Sequence, residues 1–225
     1  MSPRRALTRA LLGGIAVATL GVGCGERPAG RSEGEPTGAA ARLAPASAGE
    51  RPAREASPWE IARPGYAWSF PRDHRAHPAY RTEWWYFTGL LAEAGESEPR
   101  FGYQFTFFRI GLAAEPPELD SAWSTGQAIM GHAAVTDLAT GRHVFSELLY
   151  RAAPLRGGFP DAPDPRLAWS RAPAGTDGTW TLSWTGDAFA FTAVDESRDV
   201  EIDLTAEPIR PVVLHGDGGL STKGP

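Results

Sequence analysis

Short runs of alternating apolar and polar residues occupy most of the chain after residue 80. In one of them Trp180, Leu182 and Trp184 alternate with threonine and serine, which gives a strand one apolar face and one hydroxylated face. Glycine, proline and aspartate separate the runs, as at Gly186 and Asp187. The pattern predicts strands over residues 81–91, 100–110, 127–137, 143–151, 179–185, 188–194 and 200–205, with residues 167–170 as a further candidate.

Strands of this length and spacing favour an all-β fold for residues 59–210, built as an antiparallel β-barrel or sandwich. After Pro64 no segment keeps a sustained helical period. Residues 211–225 follow the last predicted strand, and we interpret them as a connection towards a further domain.

The first 24 residues have the pattern of an export signal. Arg4, Arg5 and Arg9 are followed by the uncharged, largely apolar residues 10–23, a stretch too short to span a bilayer. The stretch ends at Cys24, and small residues before such a cysteine are typical of a lipoprotein cleavage site. We therefore predict lipidation of Cys24 and anchoring to a membrane. The alternative is an ordinary secreted protein in which this cysteine has no role.

Residues 25–58 contain many small and polar residues and hardly any large apolar side chain. Such a segment buries too little apolar surface to offset the entropy of ordering it, so we predict a disordered linker. Gly25 stands after the cysteine, in place of the aspartate that favours the inner membrane. We therefore expect the protein at the periplasmic face of the outer membrane of a bacterial cell envelope, with secretion as the alternative.

The composition argues against several functional classes. The chain has 27 Asp and Glu against 22 Lys and Arg, and its arginines are dispersed, whereas nucleic-acid binding favours a basic patch. It has no Gly-x-Ser-x-Gly nucleophile motif. His74 and His77 are close in sequence, but no cysteine or matching carboxylate cluster accompanies them as a metal site requires. We predict no metal, no cofactor and no nucleic-acid partner.

Four consecutive aromatic residues, Trp84-Trp85-Tyr86-Phe87, follow Glu83 in the first predicted strand. Side chains alternate across a strand, so Trp85 and Phe87 should share the face of Glu83. Trp84 and Tyr86 should lie on the opposite face. The run therefore places a carboxylate beside two large rings.

Glu83 is the first candidate catalytic residue. If it is buried among rings, its pKa is raised and it keeps a proton for transfer to an alkene, whose cation the rings would stabilise. The alternative is a structural ion pair with Arg81 or Arg109. His132, in a predicted strand, and His215, in a glycine-rich turn, are the other catalytic candidates, and each also has a structural interpretation.

The second and third predicted strands suggest a cavity lined by rings. Phe105 and Phe107 belong to a row of four rings on one face of residues 100–110. Small residues of the 127–137 strand would leave room beside that row. The ligand-binding candidates are Trp84, Trp85, Tyr86, Tyr103, Gln104, Phe105, Phe107, Arg109 and Met130.

Four stretches carry a resemblance to a known family. They are residues 83–89 (Glu-Trp-Trp-Tyr-Phe-Thr-Gly), 102–109, 132–137 and 213–224. In content and order they resemble the AttH-type secreted lipocalin-like family, which is related to carotenoid 1,2-hydratases. The resemblance implies two lipocalin-like β-barrel domains in tandem, and activity as a secreted hydrolase or as a hydratase of long polyenes. This chain ends near the expected start of the second domain, so we expect it to be incomplete at its C-terminus.

Three functions are compatible with the sequence. The one we favour is an envelope lipoprotein whose lipocalin-like domain binds a hydrophobic small molecule, a polyene or a lipid. The second is a cofactor-free hydratase or hydrolase acting on such a molecule, active only together with a second domain. The third is a structural envelope protein with a filled core.

Overall fold

A computed structural model describes residues 57–115, 121 and 123–221. Nine antiparallel strands organise this part of the chain, and the three-residue 3-10 helix Arg72–His74 precedes them. The strands are β1 (Thr82–Ala92), β2 (Pro99–Gly111), β3 (Gln127–Asp137), β4 (His143–Arg151), β5 (Gly157–Gly158), β6 (Arg166–Arg171), β7 (Thr179–Trp184), β8 (Phe189–Asp195) and β9 (Val200–Ala206).

The strands form two sheets in which neighbours along the chain are also neighbours in space. The first sheet contains β1 to β4 and the second contains β5 to β9, each in chain order. Tight turns permit this order. Between β3 and β4, for example, the Gly141 amide donates to the Asp137 carbonyl over 2.8 Å, and Gly141 has a φ of 71° that favours glycine. The predicted all-β antiparallel fold is confirmed, as two sheets consistent with a lipocalin-like sandwich.

The predicted strands agree closely with the observed ones. β3 and β4 have the predicted bounds, and the other predicted strands differ by one residue at one or both ends. The strand β5 was not predicted, because Gly157–Gly158 has no side chains from which an alternation could be read.

Aromatic side chains from both sheets fill the space between them. Phe105 and Phe107 from β2, Trp180 from β7 and Phe191 from β8 are all fully buried. The ring centroids of Phe105 and Phe191 lie 5.0 Å apart in a stacked arrangement, and those of Phe107 and Trp180 lie 6.4 Å apart. Burying rings of this size makes the inter-sheet core a main source of stability.

The small residues of β3 serve this packing. A Cβ atom at Gly131 would lie 2.9 Å from the Trp180 ring and 3.1 Å from the Phe107 ring. Trp180 thus occupies the room that the sequence suggested for a ligand. The expectation of a ring-lined cavity at this place is wrong, because alternation shows which face a ring lies on but not what packs against it from the other sheet.

The outer face of the first sheet is apolar at one end. Trp84, Phe108, Met130 and Leu149 are cross-strand neighbours that form one row over all four strands. Trp84 is 58% exposed, whereas the next residue, Trp85, turns inward and packs against the core. The alternation predicted for the aromatic run is confirmed.

No helix within residues 57–115, 121 and 123–221 has the length and apolar character needed to cross a bilayer. The predicted signal over residues 1–24, lipidation of Cys24 and nearly all of the predicted linker 25–58 lie outside the described residues. They stay predictions.

Candidate functional site

Glu83 and Arg109 form an ion pair at the start of β1 and the end of β2. The two residues are direct cross-strand partners, and Arg109 Nε donates to Glu83 Oε2 over 2.6 Å. Arg109 is 0% exposed and the Glu83 side chain 17%. The sequence left open whether Glu83 is a protonated acid among rings or a member of a structural ion pair. The structure shows the ion pair, and the partner of Glu83 is Arg109 and not Arg81.

Arg109 also fixes the chain that precedes β1. Its Nη2 donates to the His77 carbonyl over 2.9 Å and to the Tyr80 carbonyl. A charged donor buried in this way is stabilised by satisfying several acceptors at once. Arg109 thus holds residues 77–80 against the end of β2.

His77 lies between two carboxylates. Its backbone amide donates to both oxygens of Glu83, over 2.9 Å to Oε1 and 2.7 Å to Oε2. Its ring Nδ1 lies 2.6 Å from Glu83 Oε1, and its Nε2 lies 3.5 Å from Asp73 Oδ1. The three contacts with Glu83 all use its carboxylate as the acceptor, so this carboxylate orients the imidazole.

Asp73 anchors the preceding residues from within the 3-10 helix. Its side chain is buried and accepts hydrogen bonds from the Ser69 amide over 2.7 Å and from Arg72 Nε over 2.6 Å. The Tyr66 hydroxyl donates to it over a longer 3.4 Å. The Arg72 guanidinium holds the pKa of the Asp73 carboxyl well below its usual range, and burial opposes this effect only in part.

A cleft of about 180 Å³ opens above this network. Burial raises the pKa of the Tyr80 phenol at its wall, and the charges of Glu60, Tyr66 and Glu83 raise it further. The cleft is lined by Ala62, Arg63, Tyr66, Trp68, His77, Tyr80, Glu83, Gly218, Gly219 and Leu220.

A glycine-rich turn near the end of the described chain completes the cleft. Trp68 Nε1 donates to the Gly218 carbonyl over 3.1 Å, and the Leu220 amide donates to the Asp217 carbonyl over 3.0 Å. Gly219 has a φ of 103°, and a Cβ atom there would lie 2.6 Å from Trp68 Nε1. Only glycine permits this backbone to lie against the indole.

A family model described as AttH-like matches residues 61–225 of the sequence. The chain belongs to the AttH-like family. The match includes the cleft residues, the paired Glu83 and Arg109, and both sheets. The predicted membership is therefore confirmed.

A crystal structure of a candidate AttH protein from Nitrosomonas europaea is similar to this AttH-like chain. The sequences are 28% identical and the TM-score is 0.52. The match covers 74% of this chain and 46% of the crystallised one, so this chain spans less than half the length of that relative. No curated protein matches the sequence significantly.

The AttH-like fold separates the predicted site residues into several groups. Glu83 lines the cleft, and its ion-pair partner Arg109 lies beneath it. His215 is exposed in the glycine-rich turn, where its carbonyl accepts from the Gly219 amide over 3.0 Å. Four candidate ligand-binding residues lie on the inner face of the first sheet as part of the core or packed against it: Trp85, Tyr103, Phe105 and Phe107.

The remaining candidates lie on the outer face of the first sheet. The His132 ring lies 5.3 Å from the Phe108 ring there, measured between centroids. Glu83 is on the inner face of the same sheet, so His132 and Glu83 do not share a site. The candidates on the outer face are Trp84, Tyr86, Gln104, Met130 and His132.

Sequence reasoning missed most of the cleft. Tyr66, Trp68, His77 and Tyr80 precede the first strand, in a segment without any strand or helix period. The available signal was the density of aromatic residues in that segment, which exceeds what a solvated linker contains. Within the described residues, no three His, Cys, Asp or Glu side chains are grouped so that they could hold a metal ion.

Proposed function

We propose that this AttH-like domain binds a hydrophobic small molecule, a lipid or a polyene, with one end of the molecule seated in the cleft. The observation that carries the proposal is an open cleft whose walls contain Tyr66, Trp68 and Tyr80, above a floor fixed by the Glu83–Arg109 pair. Ligand sites commonly combine apolar walls with a few placed polar groups.

The contrast with the rest of the domain supports this location. The rings between the sheets are packed against one another, whereas Trp68 is 40% exposed beside the cleft. Its indole N–H is already used by the Gly218 carbonyl, which leaves the ring available for apolar contact.

Displacement of an apolar fluorescent dye by candidate lipids tests this binding in the full chain. We expect Trp68→Ala to weaken dye binding by about tenfold, because an aromatic wall of the cleft is lost. Trp84→Ala is the matched control, since Trp84 is also exposed but lies on the outer face of the first sheet. Equal effects of both variants, or no displaceable binding by the unmodified protein, would contradict the proposal. The latter result would support a structural envelope protein with a filled core.

A hydratase or hydrolase activity is the second candidate function. It is favoured by the 2.6 Å contact between His77 Nδ1 and Glu83 Oε1, in which a carboxylate orients an imidazole at the cleft. Glu83 itself accepts hydrogen bonds from Arg109 and His77, so His77 is the better group to move a proton. The match covers 46% of the crystallised AttH chain, and we propose that any activity requires a second domain.

Incubation of a full-length AttH-like protein with polyenes tests the enzyme candidate. We expect a product heavier by one water, and loss of that product in the His77→Gln variant. The His132→Gln variant is the control, because His132 lies on the other face of the sheet. Tight binding of the polyene without any product would leave binding as the function.

We also propose that the protein is anchored in the bacterial envelope through a lipid on Cys24, at the periplasmic face of the outer membrane, with secretion as the alternative. The support is the sequence pattern of residues 1–24. Cys24→Ala should release the protein from the membrane fraction. Continued membrane association of that variant would argue for an uncleaved signal segment instead.

A further inference from the structure

The rings at the cleft form a continuous series. The Tyr66 ring centroid lies 4.8 Å from that of Trp68 and 6.1 Å from that of His77, and His77 lies 6.4 Å from Tyr80. The interplanar angles of these pairs are 66°, 83° and 76°. Rings at such steep angles form adjoining walls of a box and not a stack.

The volume of the cleft limits what it can hold. Pockets that enclose a whole drug-sized ligand measure roughly 300–1,000 Å³, and this cleft measures about 180 Å³. It fits a compact head group and excludes most of a long polyene or lipid chain. The remainder of such a ligand must lie outside the cleft.

The charged groups around the cleft favour a cation over an anion. The carboxylates of Glu60 and Glu83 raise the pKa of the Tyr80 phenol beyond the effect of burial, so the field at this wall disfavours negative charge. Arg109 is fully buried and does not line the cleft; its Nε and Nη2 donate to Glu83 and to backbone carbonyls, and its Nη1 has no partner among the described residues. Arg63 lines the cleft but is exposed, so water and salt screen its repulsion of a cation.

We propose that the ligand of this cleft carries a compact organic cation, a tertiary or quaternary ammonium group, surrounded by the rings of Tyr66, Trp68 and Tyr80. Aromatic boxes attract such cations through the ring quadrupoles and also accept their methyl groups. Glu83 lies at the floor and is paired with Arg109, so the attraction for the cation comes mainly from the ring faces. The inference deepens the proposed binding function and rests on it.

A second pair of rings indicates where an apolar tail would lie. Trp68 and Phe70 stack with an interplanar angle of 5° and centroids 6.0 Å apart, and each is 40% exposed. Phe70 does not line the cleft. A ligand whose head occupies the box can therefore lay its tail along the Trp68–Phe70 surface, as a cationic amphiphile or a choline-type lipid would.

Calorimetric titration of the full chain with choline, and with the uncharged alcohol in which carbon replaces the ammonium nitrogen, tests the inference. The two compounds have nearly the same shape, so the difference isolates the charge. We expect choline to bind about tenfold more tightly. Equal affinities, or tighter binding of the alcohol, would overturn the inference that the ligand carries a cation.

The apolar dye separates this inference from the proposed binding function. If neither compound binds but the dye does, the inference of a cation is overturned and the proposed binding function stands. If the dye also fails to bind, the binding function falls.

Variants of the aromatic rings test where the cation binds. Trp68→Leu should weaken choline binding by about tenfold and Trp68→Phe by less, since Phe keeps a weaker π face. Trp84→Leu should leave choline binding unchanged. If Trp84→Leu loses choline binding, or if Trp68→Leu keeps it unchanged, the cation binds elsewhere and the inference is overturned.

Dodecyltrimethylammonium, below its micelle concentration, identifies the source of the cation. If dodecyltrimethylammonium binds more tightly than choline, and if Phe70→Ala reduces this advantage, the ligand is lipid-like and its tail contacts Phe70. Equal binding of the two identifies a small free cation. Both outcomes support the ammonium group and differ only in what carries it.

Discussion

The rings between the sheets and the rings around the cleft are the same kinds of side chain held by different forces. Phe105, Phe107 and Trp180 lie on paired strands, and each is fixed by the rings packed around it. Tyr66, Trp68 and Tyr80 lie on a segment outside the strands, and that segment is held by hydrogen bonds to Asp73, Glu83 and Arg109. Packing leaves no room for a ligand in the first region, whereas polar anchoring leaves the rings of the second open.

The comparison implies that variants in the two regions should fail differently. Loss of a core ring should lower the free energy of unfolding, because a cavity replaces a packed side chain. Loss of a cleft ring should lower affinity with little effect on stability, because an exposed side chain contributes little to folding.

Trp180→Ala should have the largest effect on stability. The variant removes a fully buried indole and leaves the Val194 carbonyl without the donor that now lies 2.8 Å away. We expect a loss of roughly 3–5 kcal/mol in the free energy of unfolding, measured by denaturant titration. Trp68→Ala is the control and should cost less than about 1 kcal/mol. A small loss for Trp180→Ala would mean that the inter-sheet space has room to spare, which would revive a ligand cavity there.

Arg109→Met should have the second largest effect on stability, because it leaves Glu83 without its buried partner. Removing one member of a buried ion pair costs about 3 kcal/mol, and Arg109 also releases the His77 and Tyr80 carbonyls. The double variant Arg109→Met with Glu83→Gln should recover part of that loss, since no charge is then left unpaired. If the double variant is as unstable as the single one, the backbone contacts of Arg109 and not its charge hold the cleft segment.

Asp73→Asn tests the polar anchoring of the cleft through pH. The folded-state pKa of Asp73 is depressed, so the carboxylate contributes its full stabilisation above the unfolded-state pKa of about 3.9 and loses it as the pH falls towards the folded-state value. At pH 7 the variant should be less stable by roughly 1–3 kcal/mol. The difference from the unmodified protein should stay constant above about pH 5 and shrink below about pH 4.

The control for this titration is Asp137→Asn. Arg100 lowers the pKa of Asp137 in the same direction, but Asp137 ends β3 and does not line the cleft. Its loss should leave dye binding unchanged, whereas Asp73→Asn should weaken it. A difference for Asp73→Asn that is independent of pH down to about pH 2 would show that the carboxylate does not stabilise the fold through its charge.

The sequence was sufficient for the strands and insufficient for the cleft, for a physical reason. A strand such as β3 has a period of two that can be read locally, and its predicted bounds are the observed ones. The cleft residues Tyr66, Trp68 and His77 have no period, because individual hydrogen bonds hold them instead of a sheet. The bonds from Trp68 to Gly218 and from Arg109 to His77 join residues 150 and 32 positions apart and leave no local pattern in the sequence.

The Glu83 ion pair shows the same limit within a strand. Arg81 and Arg109 were both possible partners from the sequence. Arg109 is opposite Glu83 only because the turn between β1 and β2 sets the register of the two strands. Gly131 is a similar case, because its missing side chain suggested a void but in fact admits Trp180 from the second sheet. In each case the face was predictable and the partner across it was not.

Thr106→Val should have the smallest effect, and it tests whether polar contacts matter only where they hold the cleft. Thr106 lies on β2 between two core phenylalanines and is 2% exposed, and its Oγ1 has no hydrogen-bond partner among the described residues. Replacing an unpaired buried hydroxyl by a methyl group of similar size removes a polar group that gains nothing from burial, so the stability should change by less than about 0.5 kcal/mol or rise slightly.

Ser146→Ala is the matched control, because Ser146 is also 2% exposed but donates to Asp195 over 2.5 Å. That variant should cost roughly 1–3 kcal/mol, since it leaves a buried carboxylate short of a donor. If both variants are measured by the same denaturant titration and lose equally, the Thr106 hydroxyl has a partner that stabilises the first sheet, and polar contacts would then support the sheets as well as the cleft.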